Sequence, residues 1–441
     1  MSRKKDARPL FFAAIVVIGV AVSAQTTSTP PPDPYKTVAE SYVKLVLAVG
    51  VHDADYVDAF YGPAEWKTQA AAAKKPLAAI DTEAAATIDA LNAITFKPKS
   101  EDAELWNLRK HYLTRQLESM RSRVAMLQGK KMSFDEESQA LYDAVAPVIP
   151  ESQFEAVIAQ LEASLPGEGS LIDRYDRFKQ AFVIPRNRLD RVFQEAIRGC
   201  RGRTPGVGLP LKERFSVDYV TNKSWSGYNW YQGDFKSLIQ VNTDLPIYID
   251  RAIDLACHEG YPGHHVYNVL LEKNLVQDRG WIEFTVYPLF SPQSLIAEGT
   301  ANYGIEVAFP QAERLRFEQD VLFPLANLDP LKAVEYYQVL DLVDRLSYAG
   351  NEAARRYING DITREGAVAW LEKYALYTRP RAEQRVRFID QYRSYVINYN
   401  LGKDLVRAYV ERQMGRDRTP QRRWQVFTAL LSSPRLPSGL K

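Results

Sequence analysis

The amino-acid sequence predicts a mainly α-helical protein with a small β-sheet or hairpin beside one functionally important helix. Over long stretches, apolar residues recur at steps of three to five, which is the period of amphipathic helices. This pattern breaks only between Gly202 and Asn242, where glycines, prolines and strand-favouring residues collect. Directly after this region, three of the five histidines of the chain fall within nine positions. We therefore expect a large helical domain whose site follows a short β-segment.

The predicted helices rest on periodicity and on capping residues. The clearest pattern runs from Glu104 to Leu127. Similar patterns extend over 170–197, 331–358, 364–374 and 381–410. Asp135 and Thr363 stand where N-caps are expected, and Pro330 stands at a predicted first turn. We interpret the apolar faces of these helices as core packing.

The β-segment contains two strand-like runs, RFSVDYVT at 214–221 and SLIQVNT at 237–243. The aromatic stretch WSGYNWYQGDF separates them at 225–235. A small sheet or hairpin directly before the histidine helix is predicted. Two roles stay open for it: holding an extended peptide by backbone pairing, or serving as a structural, aromatic-rich hairpin.

The N-terminus has the layout of a secretory signal peptide over 1–24, with a basic leader, an apolar run and small residues before cleavage after Ala24. The apolar run is shorter than the roughly 20 residues of a spanning helix, so a retained membrane anchor is the less favoured interpretation. Residues 25–34 read as a disordered spacer. We expect the folded domain over 35–441, with an N-terminal helical part at 35–200 and the metal-site part at 201–441. The leader implies a periplasmic or secreted protein.

Charge and cysteine content exclude some classes of function. The formal net charge is +2, and the leader supplies +4 from Lys and Arg and −1 from Asp6, which leaves −1 after cleavage. Such a balance gives no electrostatic case for binding nucleic acid. Cys200 and Cys257 are the only cysteines. A single disulfide between them is possible in an oxidising compartment, but disulfides do not organise the fold.

The histidine cluster reads CHEGYPGHH and differs from the HExxH pattern, in which two histidines four residues apart hold zinc. On an uninterrupted helix His264 would point about 120° away from His258. His265 would share the face of His258 but lie about 10 Å further along. Neither pair could meet at one ion without a change in the backbone.

Pro262 supplies that change. It lacks the N–H that would bond the carbonyl of His258, and its ring collides with the same carbonyl. Gly263 adds backbone freedom. We predict a bulge that absorbs two residues, so that His258 and His264 become metal ligands and His265 points elsewhere, as a supporting or substrate-facing group. A set of hydrogen-bonded histidines at a helix kink is the alternative.

Two glutamates complete the candidate metal site. Glu259 follows the first histidine, as in HExxH, where it can act as general base toward a metal-bound water. The apolar helix SLIAEGTANYGIEVAF, at 294–309, is interrupted by Glu298 and Glu306. Glu298 lies close to the buried side, and a metal would offset the cost of burying its carboxylate. Glu298 is therefore the expected third ligand, and Glu306 is expected to be exposed or ion-paired.

HEGYPGHH followed by AEGTANYG resembles an uncharacterised bacterial family, a domain of unknown function with an HExxPGH motif, grouped with the gluzincin metallopeptidases. The resemblance implies a zincin-like fold. It also implies Zn²⁺ bound by His258, His264 and Glu298, with Glu259 as general base. This chain has Thr300 where a bulky aromatic residue often follows the EG of the family, which leaves the shape of the pocket open.

Three further residues match positions of the same family. Tyr303 and Tyr399 match family tyrosines that could donate to a transition-state oxyanion. Arg387 matches a family arginine that could bind a substrate carboxylate. For each of the three, core packing or an ion pair stays an equal alternative.

These observations predict a secreted or periplasmic zinc metallopeptidase that hydrolyses peptide bonds with a metal-activated water. The expected partner is a peptide or other amide substrate, with no nucleic acid and no stable membrane anchor after signal cleavage. Two alternatives stay open: a zinc-dependent amidase or esterase acting on a non-peptide substrate, and a non-catalytic helical periplasmic binding or scaffold protein.

Overall fold

Helices form most of the structure, as the sequence predicts. The computed structural model describes residues 33–99, 102–223 and 225–441. The α-helices are α1 Lys36–Gly50, α2 Ala64–Ala73, α3 Leu77–Ala93, α4 Ala103–Leu127, α5 Phe134–Tyr142, α6 Glu151–Ser164, α7 Leu171–Gln180, α8 Leu189–Gly202, α9 Asp250–Leu255, α10 His264–Leu271, α11 Pro292–Ala308, α12 Gln311–Phe317, α13 Phe323–Ala326, α14 Ala333–Asp344, α15 Ala349–Asn359, α16 Arg364–Ala375, α17 Arg379–Tyr392, α18 Ile397–Met414 and α19 Pro420–Leu431. The strands are β1 Val57–Phe60, β2 Arg214–Val220, β3 Gly227–Gly233, β4 Lys236–Asn242 and β5 Val286–Pro288.

The predicted leader and spacer fall almost entirely on residues 1–32, which lie outside the described residues. Residues Tyr35–Lys441 form one compact unit. Within the part of the chain that the structure describes, no helix combines the length and the apolar character needed to cross a bilayer.

The predicted helices at 104–127 and 364–374 are confirmed as α4 and α16, but three longer predictions are wrong because each is broken in the middle. The prediction at 170–197 breaks before Pro185, where Ile184 N donates to Ile247 O at 2.9 Å. The one at 381–410 breaks where Ser394 N donates to the buried Glu137 carboxylate at 3.1 Å. The one at 331–358 breaks between α14 and α15. In the first two cases the backbone N–H at the break donates to a partner that is distant in the chain and not to a carbonyl of the same helix.

The capping predictions have mixed outcomes. Thr363 caps α16, accepting from Gly366 N at 3.1 Å. The N-cap of α5 is Ser133, which forms a capping box with Glu136. The prediction for Asp135 is therefore wrong by two positions: it sits in the first turn and pairs with Arg355 at 3.0 Å.

The predicted small sheet is confirmed, but it has three strands where the sequence indicates two. Its strand order is β2-β4-β3, with β2 parallel and β3 antiparallel to β4. The aromatic stretch is itself strand β3, not a connection. Asp234 and Phe235, both with positive φ, join β3 to β4 as a two-residue turn. Strands β1 and β5 pair separately in an antiparallel ladder.

Two large groups of buried apolar side chains, with a third small one of Tyr231, Phe235 and Val269, hold the described unit together. The larger one combines residues of α1, α4, α8, α10, α11 and α18, which come from both halves of the chain. The smaller of the two large groups joins α6 and α7 to α15, α16 and α17. Helix α8 continues through residues 200 and 201, where the two parts of the domain are predicted to meet, and Cys200 forms a disulfide with Cys257.

Candidate metal centre

The helix that carries the first histidine opens at the position that Pro262 predicts. After α9, residues Ala256–Gly260 form a π-helical turn. Tyr261 N donates to Ala256 O at 3.3 Å, and Gly263 N donates to Cys257 O at 2.9 Å. These longer-range bonds absorb the extra residues and place His264 at the start of α10.

Gly263 is required here for space. It has φ −75°, so positive-φ freedom is not what the site needs. A Cβ at this position would lie 1.8 Å from His258 O and 2.5 Å from Cys257 O. Only glycine permits this close approach of backbone to backbone, because both obstructing atoms are themselves main-chain atoms.

The turn brings His258, His264 and Glu298 together. The two Nε2 atoms of the histidines are 3.1 Å apart. Glu298 Oε2 lies 3.3 Å from His258 Nε2 and 3.8 Å from His264 Nε2. Ligands at about 2 Å in a tetrahedral zinc site stand about 3.3 Å from one another, so these separations suit one small cation.

The surrounding hydrogen bonds orient two of the three groups, His258 and Glu298, for a cation. Asn302 Nδ2 donates to Tyr399 O at 3.2 Å, so Asn302 Oδ1 is left to accept from His258 Nδ1 at 3.1 Å. The Nε2 of His258 then presents a lone pair to the cluster. Tyr395 donates its O–H to Glu298 Oε1 at 2.8 Å.

The second oxygen of Glu298 is the clearest sign that a cation fits. Oε2 is buried and has no well-directed hydrogen bond among the described residues. Its near neighbours are the imidazole nitrogens of His258 and His264. A buried carboxylate oxygen without a well-directed hydrogen bond is costly, and a cation between it and the two Nε2 atoms would remove that cost.

Glu259 lies beside this cluster, and strand β3 holds it there. Asn229 Nδ2 donates to Glu259 O at 2.7 Å. A Cβ on Gly227 would lie 2.9 Å from Glu259 Oε1, so the side chain packs closely against the strand backbone. Burial raises the pKa of Glu259 to about 7. A carboxylate with a pKa near neutrality is well suited to taking up and returning a proton.

His265 points away from the cluster, as the bulge predicts. Its ring is fully buried, with Nε2 2.9 Å from Glu213 Oε2 and Nδ1 2.9 Å from Ser237 Oγ. Tyr261 donates to the same Glu213 oxygen at 2.7 Å. His265 therefore ties α10 to the sheet, and the alternative of a substrate-facing role does not fit its position.

The remaining predicted residues have different positions. Tyr303 and Tyr399 both line the large cavity beside the cluster. The ring of Tyr399 lies 5.8 Å from that of Tyr395, and its pKa is raised by burial and by the charge of Glu298. Tyr303 packs edge-on against Phe427 at 5.9 Å.

Arg387 is not brought to the site: it is exposed on α17 and does not line the cavity. Arg385 does line it. Residues two apart on a helix point about 200° apart, so the two arginines face opposite sides. Glu306 is ion-paired, with Lys403 Nζ at 2.9 Å and with Arg407, as expected.

Asp58 is a cavity residue that the sequence did not indicate. It accepts a hydrogen bond from Tyr228, and burial raises its pKa to about 6. It reaches the site because β1 pairs with β5, far away in the chain. A lone aspartate in a short segment gives no sequence signal of such a pairing.

The cavity is about 1340 Å³ and runs between the metal-site helices and α7, α14, α15 and α17. Small-molecule sites are commonly about 300–1,000 Å³. The volume is therefore large enough for a substrate several residues long.

Comparison with known proteins shows a likeness in fold alone. No family model matches the chain, and no curated protein matches it. A protein of Colwellia psychrerythraea, described as a "putative lipoprotein", has a similar crystal structure, with a TM-score of 0.52 and 13% sequence identity. The match covers 93% of this chain and 75% of the other.

Proposed function

We propose that this protein is a zinc-dependent metallopeptidase. The observation that carries the proposal is the convergence of His258 Nε2, His264 Nε2 and the orphaned Glu298 Oε2, with Glu259 beside them. Three protein ligands and an open side toward a cavity are the arrangement of catalytic zinc sites. When bound, zinc would polarise a substrate carbonyl and make a water molecule acidic.

The other side chains of the site would transfer the proton, orient the metal ligands and donate a hydrogen bond to the oxyanion. Glu259 would take a proton from the attacking water at its carboxylate and return it to the amide nitrogen that leaves as the amine. Asn302 fixes the tautomer of His258, and Tyr395 fixes the carboxylate of Glu298. The phenol of Tyr399 stays protonated because its pKa is raised, so it can donate a hydrogen bond to a developing oxyanion.

A peptide substrate is favoured by the strand beside the site. Residues of β3 line the cavity, and among the described residues β3 has a ladder partner only on its β4 side. The other edge of β3 offers backbone groups to which an extended peptide can pair. The same strand packs against Glu259, so a peptide paired there would pass the general base.

A periplasmic or secreted location is part of the proposal. The leader over 1–24 supports it, and so does the disulfide between Cys200 and Cys257, which persists in oxidising compartments. The Colwellia protein, described as a "putative lipoprotein", is consistent with an envelope location.

Metal analysis combined with peptide digestion tests the proposal. Protein purified without chelator is expected to hold one zinc per chain, and His258→Ala and Glu298→Ala are expected to lose it. Glu306→Gln, on the same helix as Glu298 but outside the cluster, is the matched control and should retain zinc. Glu259→Gln should retain zinc and lose cleavage of a peptide library read by mass spectrometry. Wild-type protein without metal, or cleavage that persists in Glu259→Gln, would refute the proposal.

A further inference from the structure

A second cluster of side chains in the cavity carries positive charge with no counter-charge in contact. Lys179, Arg381 and Arg385 all line the cavity. Among the described residues, none of the three forms an ion pair with a carboxylate within 4.0 Å. By contrast Arg251, Arg314 and Arg407, which also line the cavity, are each paired with an acidic residue. Arg423 also lines the cavity without an ion pair, but its charge acts on Tyr303, whereas the charge of Arg381 acts on Lys179. We call Lys179, Arg381 and Arg385 the cationic cluster.

Lys179 is the most informative member because it is buried, with only 8% of its surface exposed. Its Nζ lies 4.4 Å from the ring centre of Tyr175 and 4.7 Å from that of Tyr248. Asp176 and Asp250 act on it only from beyond contact distance. Burial and the neighbouring Arg381 lower the pKa of Lys179 to about 8. A buried ammonium without a counter-ion is costly, and a bound anion would remove that cost.

Arg381 and Arg385 extend the positive field along α17. They are four residues apart, so they share one face of the helix about 6 Å from each other. Burial alone would raise the pKa of Tyr377, but Arg381, Arg385 and Arg251 together lower it below its ordinary value. The guanidinium groups therefore lie close enough to this phenol for their charge to outweigh the effect of its burial. Guanidinium groups in such a field bind carboxylates with directed, charge-assisted hydrogen bonds.

Three contacts connect the cationic cluster to the metal centre. The guanidinium of Arg385 lies 5.9 Å from the ring of Tyr399, which lies 5.8 Å from the ring of Tyr395. Tyr395 in turn donates to Glu298. An extended peptide covers about 3.3–3.6 Å per residue, so a substrate a few residues long reaches from the metal centre to the cluster.

We propose that Lys179, Arg381 and Arg385 form a subsite that binds a carboxylate of the peptide substrate. The inference rests on the proposed peptidase function for the identity of the ligand as a peptide. The carboxylate is expected to be the free C-terminus, because one terminal group held a few residues from the metal centre sets the position of the cut. An acidic side chain has the same chemistry, and the test separates the two sources.

Direct binding tests the subsite without relying on turnover. The ligands are N-acetyl-tetraalanine as free acid, its C-terminal amide, and N-acetyl-Ala-Glu-Ala-Ala-amide, titrated by calorimetry into full-length Glu259→Gln protein. We expect the free acid to bind at least about tenfold more tightly than the amide, as one or two charge-assisted hydrogen bonds imply. Tight binding of the glutamate peptide instead would assign the subsite to acidic side chains and overturn the terminal assignment.

Single substitutions identify the groups responsible. Lys179→Met, Arg381→Gln and Arg385→Gln should each reduce the preference for the acid by about tenfold. Arg387→Gln, on the same helix but outside the cavity, is the matched control and should leave it unchanged. If a variant fails to fold, the salt dependence of the Glu259→Gln protein replaces it: added chloride should weaken binding of the acid and spare the amide.

Equal affinity for the free acid and the amide would overturn the proposal of a carboxylate subsite. A preference for the acid that persists in all three variants would overturn it as well. A different result would refute the proposed peptidase function: wild-type protein with bound zinc that cleaves no peptide but still prefers the free acid over the amide. Binding and cleavage therefore give distinguishable results.

Discussion

Replacing Gly263 with alanine tests whether the opened helix creates the proposed metal centre. The added Cβ would lie 1.8 Å from His258 O and 2.4 Å from His258 C, whereas real contacts of this kind are essentially never below 3.0 Å. Relief needs a shift of at least 1.2 Å, the difference between 3.0 and 1.8 Å. Metal–ligand distances tolerate only about 0.2 Å. Because the obstructing atoms are main-chain atoms of His258, a proposed ligand, this histidine must move.

We expect Gly263→Ala to lose zinc affinity by at least about a hundredfold and to lower the free energy of unfolding by more than the about 1–3 kcal/mol of ordinary overpacking. Zinc affinity is measured by competition with a chromogenic chelator, and stability by urea unfolding. Gly260→Ala is the control in the same turn, since its Cβ would meet only the ring of Phe215, at 3.0 Å. Wild-type zinc affinity in Gly263→Ala would refute the account of the turn.

Three further predictions address the supports of the site. Gly402→Ala should lower the melting temperature, because its Cβ would lie 2.8 Å from Leu295 O where α18 crosses α11; thermal unfolding measures it. Asn302→Leu should weaken zinc binding about 10- to 100-fold in the chelator competition, because it removes the bond that orients His258. Reducing the disulfide, which has a sequence separation of 57 residues, should cost about 2–4 kcal/mol in urea unfolding with and without reductant.

The local part of the site could be predicted from the sequence because its cause is local. Pro262 removes one specific N–H and crowds one specific carbonyl, so the place of the helix opening follows from neighbouring residues alone. The same reasoning separates His264 from His265, and the structure places these two side chains on different sides. Glu298 was identifiable as a carboxylate near the buried side of an apolar helix.

The parts that escaped prediction depend on distant contacts or on helix phase. Asp58 reaches the cavity through the pairing of β1 with β5, which no short window of sequence contains. The long helix predicted over 381–410 is broken because Glu137, far away in the chain, binds Ser394. Arg387 was predicted only from its match to a family arginine, and the packing of α17 turns Arg385, not Arg387, toward the cavity.

One short segment, from Tyr395 to Tyr399, connects the two proposed sites. Its first tyrosine binds Glu298, its last carbonyl accepts from Asn302, and the ring of that last tyrosine lies beside Arg385. Substitutions here should therefore change metal affinity and carboxylate preference together, with effects that do not add. Substitution of Lys179 should change only carboxylate preference, because it touches none of these groups. This difference between the two kinds of substitution is expected if two sites are coupled. A general loss of stability would instead lower metal affinity and carboxylate preference in all of the variants.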